Sequence, residues 1–177
     1  AKSNGFFHGA DIREFDSFTD EADVARGLEK AHALFDKLAG LDMPTVAGID
    51  GPCAGGGLEL ALACKYRVAT SASNTRLGVP EVKLGIFPGI GGTARLTQLI
   101  GGKDAVPLML TGKLLKTSVA KRLGIVDKVV RPHEELNWAV LHALKRKSKS
   151  RGPSMLQKLS NTKLARGALA NIMERET

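Results

Sequence analysis

Between Asp20 and Leu38, apolar side chains recur at helical spacing: Val24, Leu28, Ala31, Leu34, Phe35 and Leu38. That period predicts an amphipathic helix, with Thr19 or Asp20 as its cap. Before it, Phe6 to Ile12 reads as a strand end running into a Gly-Ala-Asp turn. Met43-Pro44 breaks the chain, Thr45 to Ile49 is a short apolar strand, and Asp50-Gly51-Pro52 turns it. Gly55–Gly57 then opens a helix to about Lys65, followed by a strand over Tyr66 to Ala69 and a loop over Ser71 to Asn74. Leu77 to Phe87 carries Glu81, with Pro80 imposing an extended approach. Beyond the Pro88–Gly92 loop, helices are expected at Thr93–Ile100, Asp104–Leu110 and Ser118–Leu123, a strand at Val126–Val130, and an amphipathic helix from His133 to Lys145. Gly152-Pro153 marks a boundary, and the tail after it is a helical candidate. Strands alternating with helices predict an α/β fold. A domain over residues 1–150 and a helical connector or tail over 151–177 follow from this organisation.

One position breaks the apolar pattern. From Leu58 to Ala63 every residue is apolar except Glu59, and its face is shared with Gly55, Gly56, Leu62, Ala63 and Tyr66. A helix apolar all round is a buried helix, although an exposed glutamate favoured by the helix dipole is the competing reading. Glu81 also lies among small and apolar residues, in Leu-Gly-Val-Pro-Glu-Val-Lys-Leu-Gly (Leu77 to Gly85). Carboxylates are rarely buried without a partner or a purpose. The three glycines ahead of Glu59 let a backbone come close to a neighbour or a ligand. At a helix start their N–H groups are unpaired and partly positive, which suits an oxyanion; taken alone, they fit a tight turn with small packing residues equally well.

Composition narrows the function classes. Of 177 residues, 43% are hydrophobic and 25% charged, ordinary for a globular chain long enough for a real core. Aromatics at 5% argue against a base-stacking nucleic-acid surface. No apolar run reaches the roughly 18 residues that span a membrane. The chain opens without Met and without a signal-peptide pattern, almost directly on a motif, so a missing N-terminal segment is expected. Cys53 and Cys64 are held apart by the helix between them and are expected to be free thiols, which fits a reducing compartment. Neither has metal-ligand spacing with His8, His32, His133 or His142. Charge is uneven: residues 1–100 carry 10 basic and 12 acidic side chains, and residues 101–177 carry 16 and 6. The sharpest cluster runs from Lys145 to Arg151 and reads either as a solvated helix end or as a site for phosphate, membrane or a partner protein.

Gly89-Ile-Gly91-Gly-Thr-Ala94 formally fits a dinucleotide fingerprint, but it lacks the βαβ unit and the acidic residue ending a second strand. Lys103 lacks the P-loop pattern. A more specific match is Ala47-Gly-Ile-Asp-Gly-Pro-Cys-Ala-Gly-Gly-Gly-Leu-Glu59 followed by Leu77-Gly-Val-Pro-Glu-Val-Lys-Leu-Gly-Ile-Phe-Pro-Gly-Ile-Gly-Gly-Thr-Ala-Arg-Leu96. It resembles the signature of the crotonase (enoyl-CoA hydratase/isomerase) superfamily. His8-Gly-Ala-Asp-Ile12 is similar to that family's other oxyanion-loop motif, and Leu110-Thr-Gly-Lys with Gly124-Ile-Val-Asp127 to its later helix and strand. The resemblance covers Gly5 to about His142.

The resemblance implies a ββα superhelix, here without its first strands, that binds acyl-CoA thioesters and assembles as trimers. It implies backbone N–H groups of Ala10 and Gly56 as oxyanion donors, and Glu59 and Glu81 as the catalytic carboxyls. In the family scheme Glu59 activates the water that adds at C3, and Glu81 delivers the proton to C2. Gly9, Asp11, Ile12, Arg13 and Gly55 are implied at the substrate. Arg13 and Lys2 are candidate cations for the CoA phosphates, against the plainer reading of surface charge. His8 stands where a small residue is common, a steric variation beside the CoA adenine. No cofactor is implied, since coenzyme A is part of the substrate. Within the family, the basic, broken C-terminal segment is like the hydratase domain of a multifunctional β-oxidation enzyme. Its full-length protein would carry a dehydrogenase domain and bind a thiolase subunit, in the bacterial cytoplasm or the mitochondrial matrix. An enoyl-CoA isomerase using one glutamate, or a non-catalytic crotonase-like module that binds RNA, are the alternatives.

Overall fold

The computed structural model describes residues 5–9, 20–132, 137, 140, 141, 145, 153–162 and 165. Helix α1 (Glu21–Ala39) is capped by Asp20, whose carboxylate accepts from the Asp23 N–H at 2.8 Å. Strands β1 (Val46–Ile49) and β2 (Cys53–Ala54) lead into helix α2 (Gly56–Ala63). Strands β3 (Tyr66–Thr70) and β4 (Arg76–Gly78) lead into a 3₁₀ turn, Glu81–Leu84. Helices α3 (Gly92–Ile100) and α4 (Gly102–Thr111) follow, then β5 (Leu115–Lys116), α5 (Thr117–Leu123), β6 (Lys128–Val130) and α6 (Met155–Ser160).

The strands sort into two sheets. Parallel strands in the order β1-β3-β6 form one; β2 pairs β4 in parallel and β4 pairs β5 antiparallel in the other. Each strand–strand–helix turn therefore gives its first strand to one sheet and its second strand to the other. That is the ββα repeat the sequence resemblance implies. Strand β3 lies between two parallel neighbours and is buried at every position. The turn after β1 is tied to the one after β3: Thr75 Oγ1 accepts from the Gly51 N–H at 2.8 Å, and Thr70 Oγ1 donates to Asp50 Oδ1 at 2.6 Å.

The core lies between the sheets and helices α2 to α5, around Ile49, Leu58, Leu77, Leu96, Ile100 and Ile125. Each such side chain contributes roughly 1.5–3 kcal/mol by leaving water. Helix α2 is buried on nearly every side, as its apolar sequence predicts. Its C-terminal carbonyls are met by Arg67 of β3. Arg67 Nη1 donates to Cys64 O at 2.7 Å, Nε to Ile125 O at 2.6 Å, and Nη2 pairs with Asp127 at 3.3 Å.

The helix expected from the spacing over Asp20–Leu38 is present as α1; it has no buried residue, and Leu34 is 63% exposed. Helix α1 meets the body mainly along α2, so a helical period here marks an apolar side without a cover in this chain. The extended approach to Pro80 is met by β4, which ends at Gly78; Glu81 itself starts a 3₁₀ turn, which Gly85 ends at φ +73°. The two-residue strands β2 and β5 carry no alternation that a sequence pattern could register. The helix expected at His133–Lys145 falls largely outside the described residues, as does the basic run apart from Lys145. Met155–Ser160 is helical, begins with a capping box at Ser154, and is held to the body: Asn161 accepts from the Gly102 N–H at 2.9 Å and donates to Thr97 O at 3.0 Å.

Candidate active site

Glu59 enters from the first turn of α2 and is 2% exposed. Its Oε1 accepts from the backbone N–H groups of Gly92 at 2.7 Å and Ile90 at 2.8 Å. Gly92 is where this approach becomes possible: a Cβ there would sit 2.7 Å from Oε1 and 2.8 Å from Cγ of Glu59. Burial pushes the Glu59 carboxyl above the usual range; the two N–H bonds, then the fields of His32 and Arg95, oppose it. Hydrogen bonds from N–H groups stabilise the charged form, so of the two carboxyls Glu59 is the better supported as a carboxylate.

Glu81 starts the 3₁₀ turn after β4 and is 9% exposed. A backbone bond from Gly55 N–H to Gly78 O, 3.0 Å, ties the end of β4 to the start of α2. It brings Glu81 to the glycine turn, where its Oε1 lies 3.2 Å from the position of a Cβ on Gly55. Oε2 of Glu81 is buried with no hydrogen-bond partner among the described residues. Burial pushes this carboxyl up, its own backbone N–H opposes, and the charge of Glu59 pushes it further up. Burial thus pushes both carboxyls up; two N–H groups oppose this at Glu59, whereas Glu81 Oε2 has no donor among the described residues. A buried, unpartnered carboxyl oxygen beside a second carboxyl is costly for stability and is what acid/base chemistry on a small molecule requires.

The start of α2 presents backbone N–H groups beside the two carboxyls. Gly56 is the first residue of α2, where backbone N–H groups have no intrahelical acceptor. The segment carrying the first glycine motif runs alongside: Phe7 O accepts from the Ala54 N–H at 3.1 Å, and a Cβ on Gly9 would stand 3.9 Å from Gly56 N. Gly57 permits this packing, because any side chain there would occupy the space of the Phe7 carbonyl. Glu59, Glu81, Gly55, Gly56 and Gly9 therefore lie together. Ala10, Asp11, Ile12, Arg13 and Lys2 lie outside the described residues, and His8 is exposed next to Gly5.

Two arginines escaped the sequence reading. Arg67 closes α2 from behind, and an arginine inside an otherwise apolar strand was its signal. Arg95, in α3, donates to Ile90 O at 2.8 Å and so touches the loop that holds Glu59; its signal was a cation on a short helix just after the glycine loop. Cys53 and Cys64 are free, and burial raises both thiols, so neither is an ionised nucleophile at neutral pH. Among the described residues no group of His, Cys, Asp or Glu could hold a metal ion, and no helix is long and apolar enough to cross a membrane. A cavity of about 370 Å³ borders the C-terminal end of α2, lined by Leu62, Cys64, Arg67, Gln98 and Pro153 among others. Glu81 and the glycine turn are at the opposite end of that helix.

Comparison with known proteins agrees with this geometry. The family model for enoyl-CoA hydratase/isomerase matches residues 2–176. The chain is 47% identical over 154 residues to the fatty acid oxidation complex subunit alpha of Idiomarina loihiensis, covering 87% of this chain and 22% of that protein. It is 42% identical over 176 residues to the Aliivibrio fischeri protein of the same name, covering 99% of this chain and 26% of that protein. The chain thus spans about a quarter of the length of these relatives. Among solved structures, the enoyl-CoA hydratase of Bacillus anthracis superposes with a TM-score of 0.72 at 35% identity, over 82% of this chain and 55% of that one. The enoyl-CoA hydratase of Thermoplasma volcanium superposes with a TM-score of 0.75 at 33% identity, over 81% and 57%. A family model spanning nearly every residue, and a crotonase fold with both glutamates at one helix start, make the chain a member of the enoyl-CoA hydratase/isomerase family.

Proposed function

We propose that this chain carries the hydratase site of a fatty-acid β-oxidation enzyme, adding water across the 2,3 double bond of a 2-trans-enoyl-CoA. The observation that carries the reading is the unequal pair: Glu59 stabilised as a carboxylate by two N–H groups, Glu81 buried with an unpartnered Oε2. Glu59, with Oε1 occupied, takes a proton from water through Oε2 while the water oxygen bonds to C3. The C2=C3 electron pair moves towards the thioester oxygen, where the Gly56 N–H and the implied Ala10 N–H receive the developing charge. Glu81 then gives its proton to C2. Proton exchange between the two carboxyls returns Glu59 to the ionised form and Glu81 to the acid. The two titrate as a unit, so a bell-shaped pH profile is expected, its acid limb reporting chiefly Glu59 and its basic limb chiefly Glu81.

The names of the relatives support placing this site in the alpha subunit of a fatty acid oxidation complex; that the full-length protein also holds a dehydrogenase domain and meets a thiolase partner is part of the proposal. A trimer-based assembly, implied by the sequence resemblance, belongs to the same proposal. The test is hydration of crotonyl-CoA by the full-length protein in D₂O. The reading predicts 3-hydroxybutyryl-CoA with one deuterium at C2; unchanged crotonyl-CoA would overturn it. Gly56→Pro removes one N–H donor and should cost about 10²–10³ in turnover.

A further inference from the structure

Arg95 joins three elements. Its Nη2 pairs with Asp36 Oδ1 of α1 at 2.5 Å, and its Nη1 donates to Ile90 O at 2.8 Å. Its backbone N–H, at the start of α3, donates to Gly91 O at 2.9 Å. The guanidinium lies directly on Gly91, and its side chain is 15% exposed. Ile90 and Gly92 are the two residues whose N–H groups reach Glu59 Oε1. One side chain therefore grips the loop between the two donors.

The Asp36 end is 71% exposed, and an ion pair so exposed contributes little by itself. The Ile90 end is different. A guanidinium presents several donors in a fixed plane, so anchoring one edge on α1 fixes where the other edge holds the loop. The carbonyl it holds belongs to the peptide between Ile90 and Gly91, which lies between the two peptides whose N–H groups reach Glu59. The charged and titratable groups facing Glu59 are His32 from α1, Arg95 from α3 and Glu81 from the turn after β4. Arg95 is the one among them bonded to the loop that donates to Glu59.

We infer that Arg95 is a positioning residue for the hydration: it clamps the Ile90–Gly92 loop so that both N–H groups stay on Glu59, with Asp36 steadying the clamp. This rests on the reading of Glu59 as the ionised base. Loss of the clamp removes N–H donors and a nearby positive charge together, and both losses favour the protonated carboxyl. The acid limb of the pH profile should then move up.

The test uses the full-length protein with Arg95→Met, Arg95→Lys and Asp36→Asn. Arg95→Met should lower kcat about tenfold to a hundredfold with little change in KM, as expected for a displaced catalytic group. Its acid limb should rise by about one unit. Arg95→Lys, which keeps the charge but not the fork, should shift the limb in the same direction by less, and serves if the methionine variant does not fold. Asp36→Asn should change kcat by about threefold or less. A folded Arg95 variant with an unmoved acid limb would overturn the inference. The ¹³C titration of the Glu59 carboxyl gives a readout independent of turnover. If the wild-type protein hydrates nothing, the functional reading falls, and a Glu59 midpoint raised or unmoved in the variants still decides for or against the clamp.

Discussion

At Gly92 a single methyl group decides where Glu59 sits. A Cβ 2.7 Å from Oε1 must push the carboxylate off its two N–H donors. Gly92→Ala should therefore lower hydration strongly while costing the fold about 1–3 kcal/mol, as overpacking does. Thermal unfolding measured beside kcat separates the two effects, and full activity with a lowered Tm would contradict the contact. Glu81 gives a prediction in pH. Its folded-state carboxyl lies above the ordinary value of 4.5. Stability that is present below that value is therefore lost as pH rises through the folded pKa. Glu81→Gln removes this loss, so the variant's Tm minus the wild type's should grow more positive from pH 4.5 to neutral. A gap that stays constant over that window would mean that Glu81 does not titrate abnormally. Arg67→Met would take the guanidinium away from Asp127, from Ile125 O and from Cys64 O at the end of α2. A loss of about 3–5 kcal/mol in denaturant unfolding is expected.

Among the elements, those with strong periodicity or a punctuating glycine were legible. The core helix α2 was read from apolar residues on all sides, and Glu59 stood out because it alone broke that pattern. Glu81 was found for the same reason, and the extended approach to Pro80 was legible too; the short 3₁₀ turn that Glu81 starts was not, since little but the Gly85 stop marks it. Strands β2 and β5 are fixed by pairing partners distant in the chain, a fact that no local window holds. Helix α1 is the opposite case. Its period marked the helix and left its exposure open, because a stripe records that a helix has an apolar side, not what lies against it. The segment after Gly152-Pro153 read as a weak helical candidate, whereas hydrogen bonds from Asn161 across to Thr97 and Gly102 attach it. Asn161→Leu should thus cost about 1–3 kcal/mol by leaving the Gly102 N–H unmet at a buried helix start, measurable by denaturant unfolding.

For the whole molecule, the two-sheet frame explains why residues far apart in sequence act together. Glu59 and Glu81 are carried on successive ββα turns, and the bond between Gly55 and Gly78 holds those turns in register. The first glycine motif, more than forty residues earlier, is laid along the same helix start by the Phe7 carbonyl. The identities of the glutamates and glycines could be read from their order; the unequal treatment of the two carboxyls could not, because it comes from loop N–H groups and from burial. That inequality is the centre of the account, and the most direct measurement of it is kcat for crotonyl-CoA hydration by full-length Glu59→Gln, Glu81→Gln and the double variant. Each single change is expected to cost about 10²–10⁴, with the double little worse than either, since the pair works as a unit on one water. Unchanged turnover in either single variant, or losses that multiply in the double, would contradict it.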